Sequence, residues 1–307
     1  MKIAILGAAG FIGRSLTTKF VQYGHEVFSF VRELAQEEVF EGVKQIRFDL
    51  AEISSEAEAV LLNCDVVVHL VSTTNPGNSV LSPKKDVSDN IVGSLDLLEI
   101  LRANKNCKFI FASSGGAVYG IPKTLPINEA HETNPVSPYG VSKLAIEKFL
   151  FSYSAQHGLD YTILRLSNPY GPGQLNLRGQ GLIPTIIEGG LTGQPVTIWG
   201  DGTSERDYLF IDDAVDAFSR AVTYKGSERI FNVASGAGTS ILNLVSEIEG
   251  LLHLPIKLNF EQRRPSDPLV NILNVDLAKD VLGWIPSTSL GDGLQKTVEW
   301  NRKRLGV

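Results

Sequence analysis

The sequence is short of several things that would assign its class at once. It has two cysteines in 307 residues, Cys64 and Cys107. Two thiols make no disulfide framework, so reduced cysteines and a cytoplasmic location are expected. No apolar run approaches the roughly 18 residues a membrane span needs, so no membrane partner is expected. The apolar start, Met1–Gly13, is too rich in glycine and too soon followed by Arg14 to be a signal peptide. The five histidines (His25, His69, His131, His157 and His253) show no metal-ligand spacing, so no metal site is expected. Basic residues are scarce too: 28 Lys and Arg stand against 34 Asp and Glu, a formal charge of −6. That balance gives nucleic acid or an anionic membrane no electrostatic reason to bind. The one basic cluster, Arg302-Lys303-Arg304, reads as a solvated helix end.

What remains is ordinary globular material. Apolar residues make up 43% and charged residues 20%, which excludes a disordered, collagen-like or coiled-coil chain and suffices for a core. The length suits two domains or one large one. In the first half, short apolar runs alternate with helical patterns. Lys2–Leu6, Val27–Val31, Gln45–Phe48, Val66–Leu70, Lys108–Ala112 and Thr162–Leu166 read as strands. Ile12–Tyr23, Glu56–Leu62, Ser88–Ala103 and Ser142–His157 read as helices. Strands apolar on both faces and separated by helices make βαβ units, hence a doubly wound parallel sheet of the Rossmann kind. After Asn168 the texture changes. Pro169–Gly181 reads as loop, Leu182–Gly190 as helix, Val196–Trp199 as strand and Gly200–Thr203 as turn. Asp212–Tyr224 reads as helix, Ile230–Val233 as a strand able to rejoin the main sheet, and Ile256–Phe260 as a further strand. The expected division is a dinucleotide-binding domain, 1–167 with a return at about 205–235, and a smaller α+β substrate-binding lobe, 168–204 and 236–307.

Gly7, Gly10 and Gly13, with Phe11 and Ile12 among them, sit between the first strand and the first helix. Glycines there permit a tight turn and a close approach of backbone to a pyrophosphate, and the helix N-terminus offers unpaired N–H groups. The spacing is G-x-x-G-x-x-G, and the strand–loop–helix context points to dinucleotide binding. The second strand ends Val31-Arg32, with no acid for a ribose 2′-hydroxyl. Arg32 either pairs with a 2′-phosphate or faces solvent above the adenine, which leaves NAD and NADP both open. Asp49-Leu50, after the third strand, is placed to meet the adenine edge, although Asp49 could equally cap a helix.

Tyr139 and Lys143 form Tyr-x-x-x-Lys, one helical turn apart if this segment opens a helix. A phenol is a poor base at pH 7, but an ammonium and a positive nicotinamide ring lower its pKa. Ser113-Ser114 end the Lys108–Ala112 strand, and in a doubly wound sheet that end borders the ligand crevice. Asn90, in the preceding helix, either bends that helix or holds water at the site.

These motifs give the chain a resemblance to the extended short-chain dehydrogenases/reductases, in their nucleotide-sugar epimerase/dehydratase branch. The resemblance covers nearly the whole chain. It rests on Gly7–Gly13, the Ser113–Gly120 stretch, Tyr139–Lys143, Arg165–Pro172, and Arg206-Asp207-Tyr208 followed by Asp212-Asp213. It implies that Tyr139 is base and acid on a sugar 4-hydroxyl, that Lys143 tunes it and holds the nicotinamide ribose, and that Ser114 bonds the same sugar oxygen. Counting from the strand selects Ser114, counting back from Tyr119 selects Gly115, and Ser113 is held in reserve; Gly115 has no hydroxyl. Leu70, Val71 and Ser72 fall where the family's loop passes the cofactor. Asn168, Arg206, Arg264 and Asp267 match positions that hold the diphosphate and ribose, with surface salt bridging the alternative for the two arginines. Leu182 and Trp199 line the base pocket or simply pack the core. The implied activity is 4-epimerisation of a UDP-hexose or UDP-N-acetylhexosamine with bound NAD (NADP possible), through a 4-keto sugar, in a homodimer. An NADPH-dependent 4-keto-6-deoxysugar reductase is the alternative, with Arg32 its support. A non-catalytic dinucleotide sensor need not keep Tyr139, Lys143 and Ser114 together. Gly115-Gly116 replace the Asp-Glu of the family's 4,6-dehydratases, which argues against dehydration. Asn271 falls where the family often has a bulky Tyr beside the sugar C2, which leaves room for an N-acetyl group.

Overall fold

A computed structural model describes residues 1–34, 42–176, 181–263 and 268–307. Its strands are β1 (Lys2–Leu6), β2 (Glu26–Val31), β3 (Lys44–Arg47), β4 (Val66–His69), β5 (Lys108–Ser114), β6 (Asp160–Leu166), β7 (Asn168–Tyr170), β8 (Val196–Trp199), β9 (Glu205–Phe210), β10 (Ile230–Val233), β11 (Gly238–Ser240), β12 (Leu258–Glu261) and β13 (Val270–Asn271). Seven of them form one sheet in the order β10-β6-β5-β4-β1-β2-β3. Every neighbouring pair is parallel. β4 is buried along its whole length, and β1 and β6 along all but their first residue. Their side chains alternate between two cores. Ile3, Ile5, Val66 and Val68 meet Leu16, Phe20 and Phe218 on one face. Ala4, Leu6 and Val67 meet Leu97, Leu101, Ile146 and Leu150 on the other. The order reverses between β4 and β2 around β1, so the ligand crevice opens at the carboxyl ends of β1 and β4.

In the smaller lobe, β9 carries β11 antiparallel and β13 and β7 parallel, while β8 and β12 form a parallel pair. The apolar faces of helices Leu182–Thr192, Ile241–Leu252 and Leu290–Leu305 join the core of the first helix without a break. β7 lies in a stretch expected to be loop throughout. Tyr170 draws it in, because its ring packs edge-on against Tyr208 and Phe210 of β9. The chain rejoins the main sheet only at β10, and β9 stays in the small sheet.

The helix carrying Tyr139 runs Pro138–His157, four residues earlier than the periodicity suggests. Ser137 is its N-cap, accepting from the Gly140 N–H at 3.2 Å, and Pro138 fills the first turn, where a missing N–H costs nothing. Gly158, at φ 75°, ends it. A buried ion pair fixes this helix to the sheet. Arg165 on β6 grips Glu147 with two bonds, Nη2 to Oε2 at 2.6 Å and Nε to Oε1 at 3.0 Å. Both side chains are only 2% exposed. Ser113 donates to the same carboxylate at 2.5 Å, and Arg165 Nη1 reaches the Tyr119 hydroxyl at 2.9 Å.

Removing one partner of such a pair strands a buried charge. Arg165→Met is expected to cost about 3–5 kcal/mol in urea unfolding, whereas adding Glu147→Met should restore most of it. A double variant no more stable than the single one would refute this account.

Candidate active site

The glycine loop is shaped by close contacts. Gly7 has φ 90°, a left-handed conformation that side chains resist. A Cβ on Gly13 would lie 2.3 Å from the Gly7 carbonyl oxygen and 2.7 Å from Ala8 Cα, so only glycine lets the helix start this near β1. Phe11 and Ile12 open the Phe11–Gln22 helix half-buried against the core. No side chain caps this helix at Gly10, and its first turn has no acid. Its leading N–H groups and positive dipole end therefore fit a pyrophosphate, the cradle a dinucleotide requires. Leu70 and Val71 close over the loop, with Leu70 Cβ and the Val71 nitrogen each 3.5 Å from where a Gly7 Cβ would stand.

The other residues expected around a dinucleotide fall into place unevenly. Arg32 is exposed and bonds no other described residue. Asp49 is exposed and accepts from the Ala51 N–H at 3.0 Å. It caps no helix, because Ser54 caps Ser55–Leu61. Leu50 is buried under Gly93, where a Cβ would come 2.5 Å from the Leu50 oxygen. Ser72 is exposed and its hydroxyl donates to Thr74 O. Asn90 lies in a π-helical segment, Val87–Val92. Its amide is engaged by protein: Oδ1 accepts from the Thr73 N–H at 2.9 Å, and Nδ2 donates to Asp86 at 3.1 Å. Asn90 thus clamps the loop after β4 to the helix, and the π turn aims it there.

Ser114, Tyr139 and Lys143 come together at the end of β5. Ser114 stands beside the Tyr139 phenol, close enough for its hydroxyl to favour the phenolate. Lys143 Nζ lies 5.8 Å from the Tyr139 ring centre and donates to the Ala112 carbonyl at 2.9 Å. Ser113 points to the other side, onto Glu147, so it is no reserve for Ser114. Burial pushes the Tyr139 phenol up to about 12, against the Ser114 hydroxyl that lowers it, while Asp86 adds to the rise. Lys143 alone does not bring the phenol down, and the Tyr–Lys argument asks for a positive nicotinamide ring as well. The phenol is neutral at pH 7 until further positive charge arrives. Burial pulls Lys143 down to about 8, against Glu147 and Asp86, which hold it up.

In the lobe, Leu182, Trp199 and Arg206 line one cavity of about 150 Å³ together with Arg263 and Pro268. Arg263 escaped the sequence reading, which favours its neighbour Arg264; Arg264 and Asp267 lie outside the described residues. No spacing rule could have found Arg263, since the turn at Gly200, whose open side its stem covers, brings it in. Asn168 donates to the Asp207 carbonyl at 2.8 Å. Asn271 is 1% exposed, donates to the Gly115 carbonyl at 3.4 Å, and leaves its own carbonyl oxygen without a partner. No group of metal-ligating side chains occurs among the described residues.

Residues 3–234 match the NAD dependent epimerase/dehydratase family. The chain belongs to this family. It is 33% identical over 99% of its length to UDP-glucose 4-epimerase of Mycolicibacterium smegmatis, 99% of which it covers. It is also 33% identical over 97% of its length to dTDP-4-dehydro-6-deoxyglucose reductase of Escherichia coli, covering 96% of that protein. The crystal structure of UDP-glucose 4-epimerase with UDP-glucose from Thermotoga maritima superposes with a TM-score of 0.91 at 34% identity, over 99% of this chain and 100% of that one.

The contacts around Gly13 are all with backbone, so nothing nearby can yield to a methyl group. Gly13→Ala is expected to reduce bound dinucleotide at least tenfold, read from the 260 nm absorbance of the purified protein. Wild-type loading in this variant would remove the glycine loop from the site.

Proposed function

We propose that the chain catalyses NAD-dependent 4-epimerisation of a UDP-hexose or UDP-N-acetylhexosamine. The observation that carries this reading is the meeting of Ser114, Tyr139 and Lys143 beside the Gly7–Leu70–Val71 cradle. Bound NAD supplies a reversible hydride acceptor whose nicotinamide ring is positively charged. Tyr139 would take the proton from the sugar O4 during oxidation at C4 and return it during reduction, the bound dinucleotide supplying the redox chemistry. Ser114 orients the same oxygen. Lys143, held by the Ala112 carbonyl, puts an amine beside the phenol and would hold the nicotinamide ribose when the dinucleotide is bound. Asn168 and Arg206 would hold the diphosphate and ribose, a role the sequence also gives to Arg264 and Asp267 outside the described residues, and Leu182 and Trp199 would border the base. Such a grip leaves the hexose free to turn. Gly115 and Gly116 offer no group to move a second proton, so dehydration is left out. The small Asn271 beside them leaves the N-acetyl substrates open. We infer the domain division to be functional, with 1–167 and the return to the main sheet at β10 holding NAD, and the lobe, with β9 and its Arg206, holding the sugar nucleotide.

A homodimer fits the exposed apolar side chains Val141 and Phe151 on the Tyr139 helix and Val92 at the end of the π-helical segment. A cytoplasmic location fits two free, buried thiols. No helix among the described residues is long and apolar enough to cross a membrane. The second reading is an NADPH-dependent 4-keto-6-deoxysugar reductase. Arg32, exposed at the end of β2, favours it, as does the similarity to the reductase of Escherichia coli.

Purified protein given UDP-galactose or UDP-N-acetylgalactosamine and no added cofactor is expected to form the C4 epimer, followed by proton NMR. Tyr139→Phe should cut kcat by roughly 10²–10⁴-fold while substrate binding stays. NADPH consumption with a 4-keto sugar, and no epimer, would establish the reductase instead. Replacing Arg32 by Ala is expected to weaken NADP and NAD alike if the arginine only faces solvent. A much larger loss for NADP would mark it as a reader of the 2′-phosphate.

A further inference from the structure

One cavity of the smaller lobe concentrates positive charge in a chain that is acidic as a whole, with a formal charge of −6. The described residues lining the cavity of about 150 Å³ beside β8 include two arginines, Arg206 and Arg263, and no acid. Trp199, 43% exposed, belongs to the same lining. So does Leu182, the first residue of the Leu182–Thr192 helix, which has no side-chain cap and no acid in its first turn. That helix end adds its positive dipole to the two guanidinium groups. Like charges gathered on one small cavity repel each other. An anion placed among them relieves the repulsion, whereas a neutral ring does not.

Backbone pairing is what brings Arg263 there. β8 and β12 run parallel with Trp199 opposite Glu261, and the Gly200 N–H donates to the Glu261 carbonyl at 2.8 Å. Arg263 stands two residues beyond Glu261, and its stem lies along the Gly200 turn. A Cβ on Gly200 would be 3.5 Å from Arg263 Cβ and Cγ and 3.8 Å from its Cδ. Arg263 is exposed and makes no hydrogen bond or ion pair with another described residue. The acid in that turn, Asp201, accepts instead from the Thr203 N–H at 3.0 Å and hydroxyl at 2.7 Å. Arg206, by contrast, is steadied by its own strand, its Nη1 donating to the Glu205 carbonyl at 2.9 Å.

We propose that Arg263 is a substrate-binding residue for the phosphate groups of a nucleoside diphosphate, sharing that charge with Arg206 while Trp199 meets the base. A guanidinium suits the task, because its planar fork of N–H donors matches phosphate oxygens and keeps its charge at any working pH. Its stem is already laid along the Gly200 turn, so binding has fewer rotatable bonds to fix. This role rests on the epimerase reading for the identity of the nucleotide and not for turnover.

Calorimetric titration of the purified protein with UDP at 50 mM NaCl reads the affinity directly. Arg263→Gln is expected to raise Kd at least about fivefold. A smaller rise in the folded variant overturns the proposal. Repeating both titrations at 0.5 M NaCl separates charge from packing. The ratio of the two Kd values should fall at least about twofold as the charges are screened. A ratio that holds its size marks a side chain that only packs on the Gly200 turn, and overturns the proposal. Should Arg263→Gln not fold, Arg263→Lys decides: a point charge in place of the fork is expected to raise Kd at least about twofold, and an unchanged affinity overturns the proposal. A wild type that forms the C4 epimer while Arg263→Gln binds UDP normally removes this inference and keeps the activity reading. A wild type that forms no epimer, but binds UDP with the expected loss in the variant, keeps this inference and removes the activity reading.

Discussion

The grip of Arg165 on Glu147 sets the terms for the rest of the site. Glu147 lies one helical turn beyond Lys143 and two beyond Tyr139, on one face of the helix. Fixing it to β6 with two bonds fixes the rotation of that face about the helix axis. An apolar contact of equal area would tolerate sliding, whereas a planar fork on a carboxylate does not. Ser113 adds a third bond from β5, so the strand carrying Ser114 and the helix carrying Tyr139 are held to one carboxylate. Neighbouring residues on β5 thus divide their work. Ser113 faces the anchor and Ser114 faces the phenol, as the alternation of side chains along a strand requires.

The sheet and the crevice were legible in the sequence because both depend on strong local patterns. Runs such as Val66–Val68, buried on both faces, have no other comfortable home than a parallel sheet. The glycines at 7, 10 and 13 were legible for the same reason, since their spacing records backbone contacts a few residues apart. Apolar periodicity begins the Tyr139 helix only at Ser142, whereas the Ser137 cap and Pro138 set its start four residues earlier. Asn90 could be located but not given its job, because its partners Thr73 and Thr74 lie sixteen or more residues away. Arg263 was invisible, since what brings it to the cavity is the fold of a different turn.

Electrostatics was the least legible part. Tyr-x-x-x-Lys spells a pair, but the pair's protonation depends on how much water the fold removes. In the folded chain burial dominates, and the phenol is held neutral while the ammonium is weakened. A site of this kind has its base switched off by default. A phenolate is favoured only where a cation stands against it, and on the proposed reading that cation is the dinucleotide, which would tie proton removal to its presence.

The turn after Ser114 limits what else such a site could do with a 4-keto sugar. Elimination requires further acid and base groups near the neighbouring carbons. A side chain at 115 would meet Leu273 Cδ1 at 2.4 Å, with the Arg165 carbonyl close behind it. At 116 the nearest atom is Ser114 Oγ at 3.9 Å, so that position has space and lacks only a functional group. The two glycines are therefore not equivalent. Position 115 is crowded by the Leu273 side chain, and position 116 leaves open space beside Ser114. Supplying an acid at 116 alone would add one proton-transfer group without its partner. Supplying the partner would require Leu273, fully buried next to Ile127 and Ala234, to give way as well. Elimination is thus closed off at both positions, by a missing functional group at 116 and by the Leu273 side chain at 115.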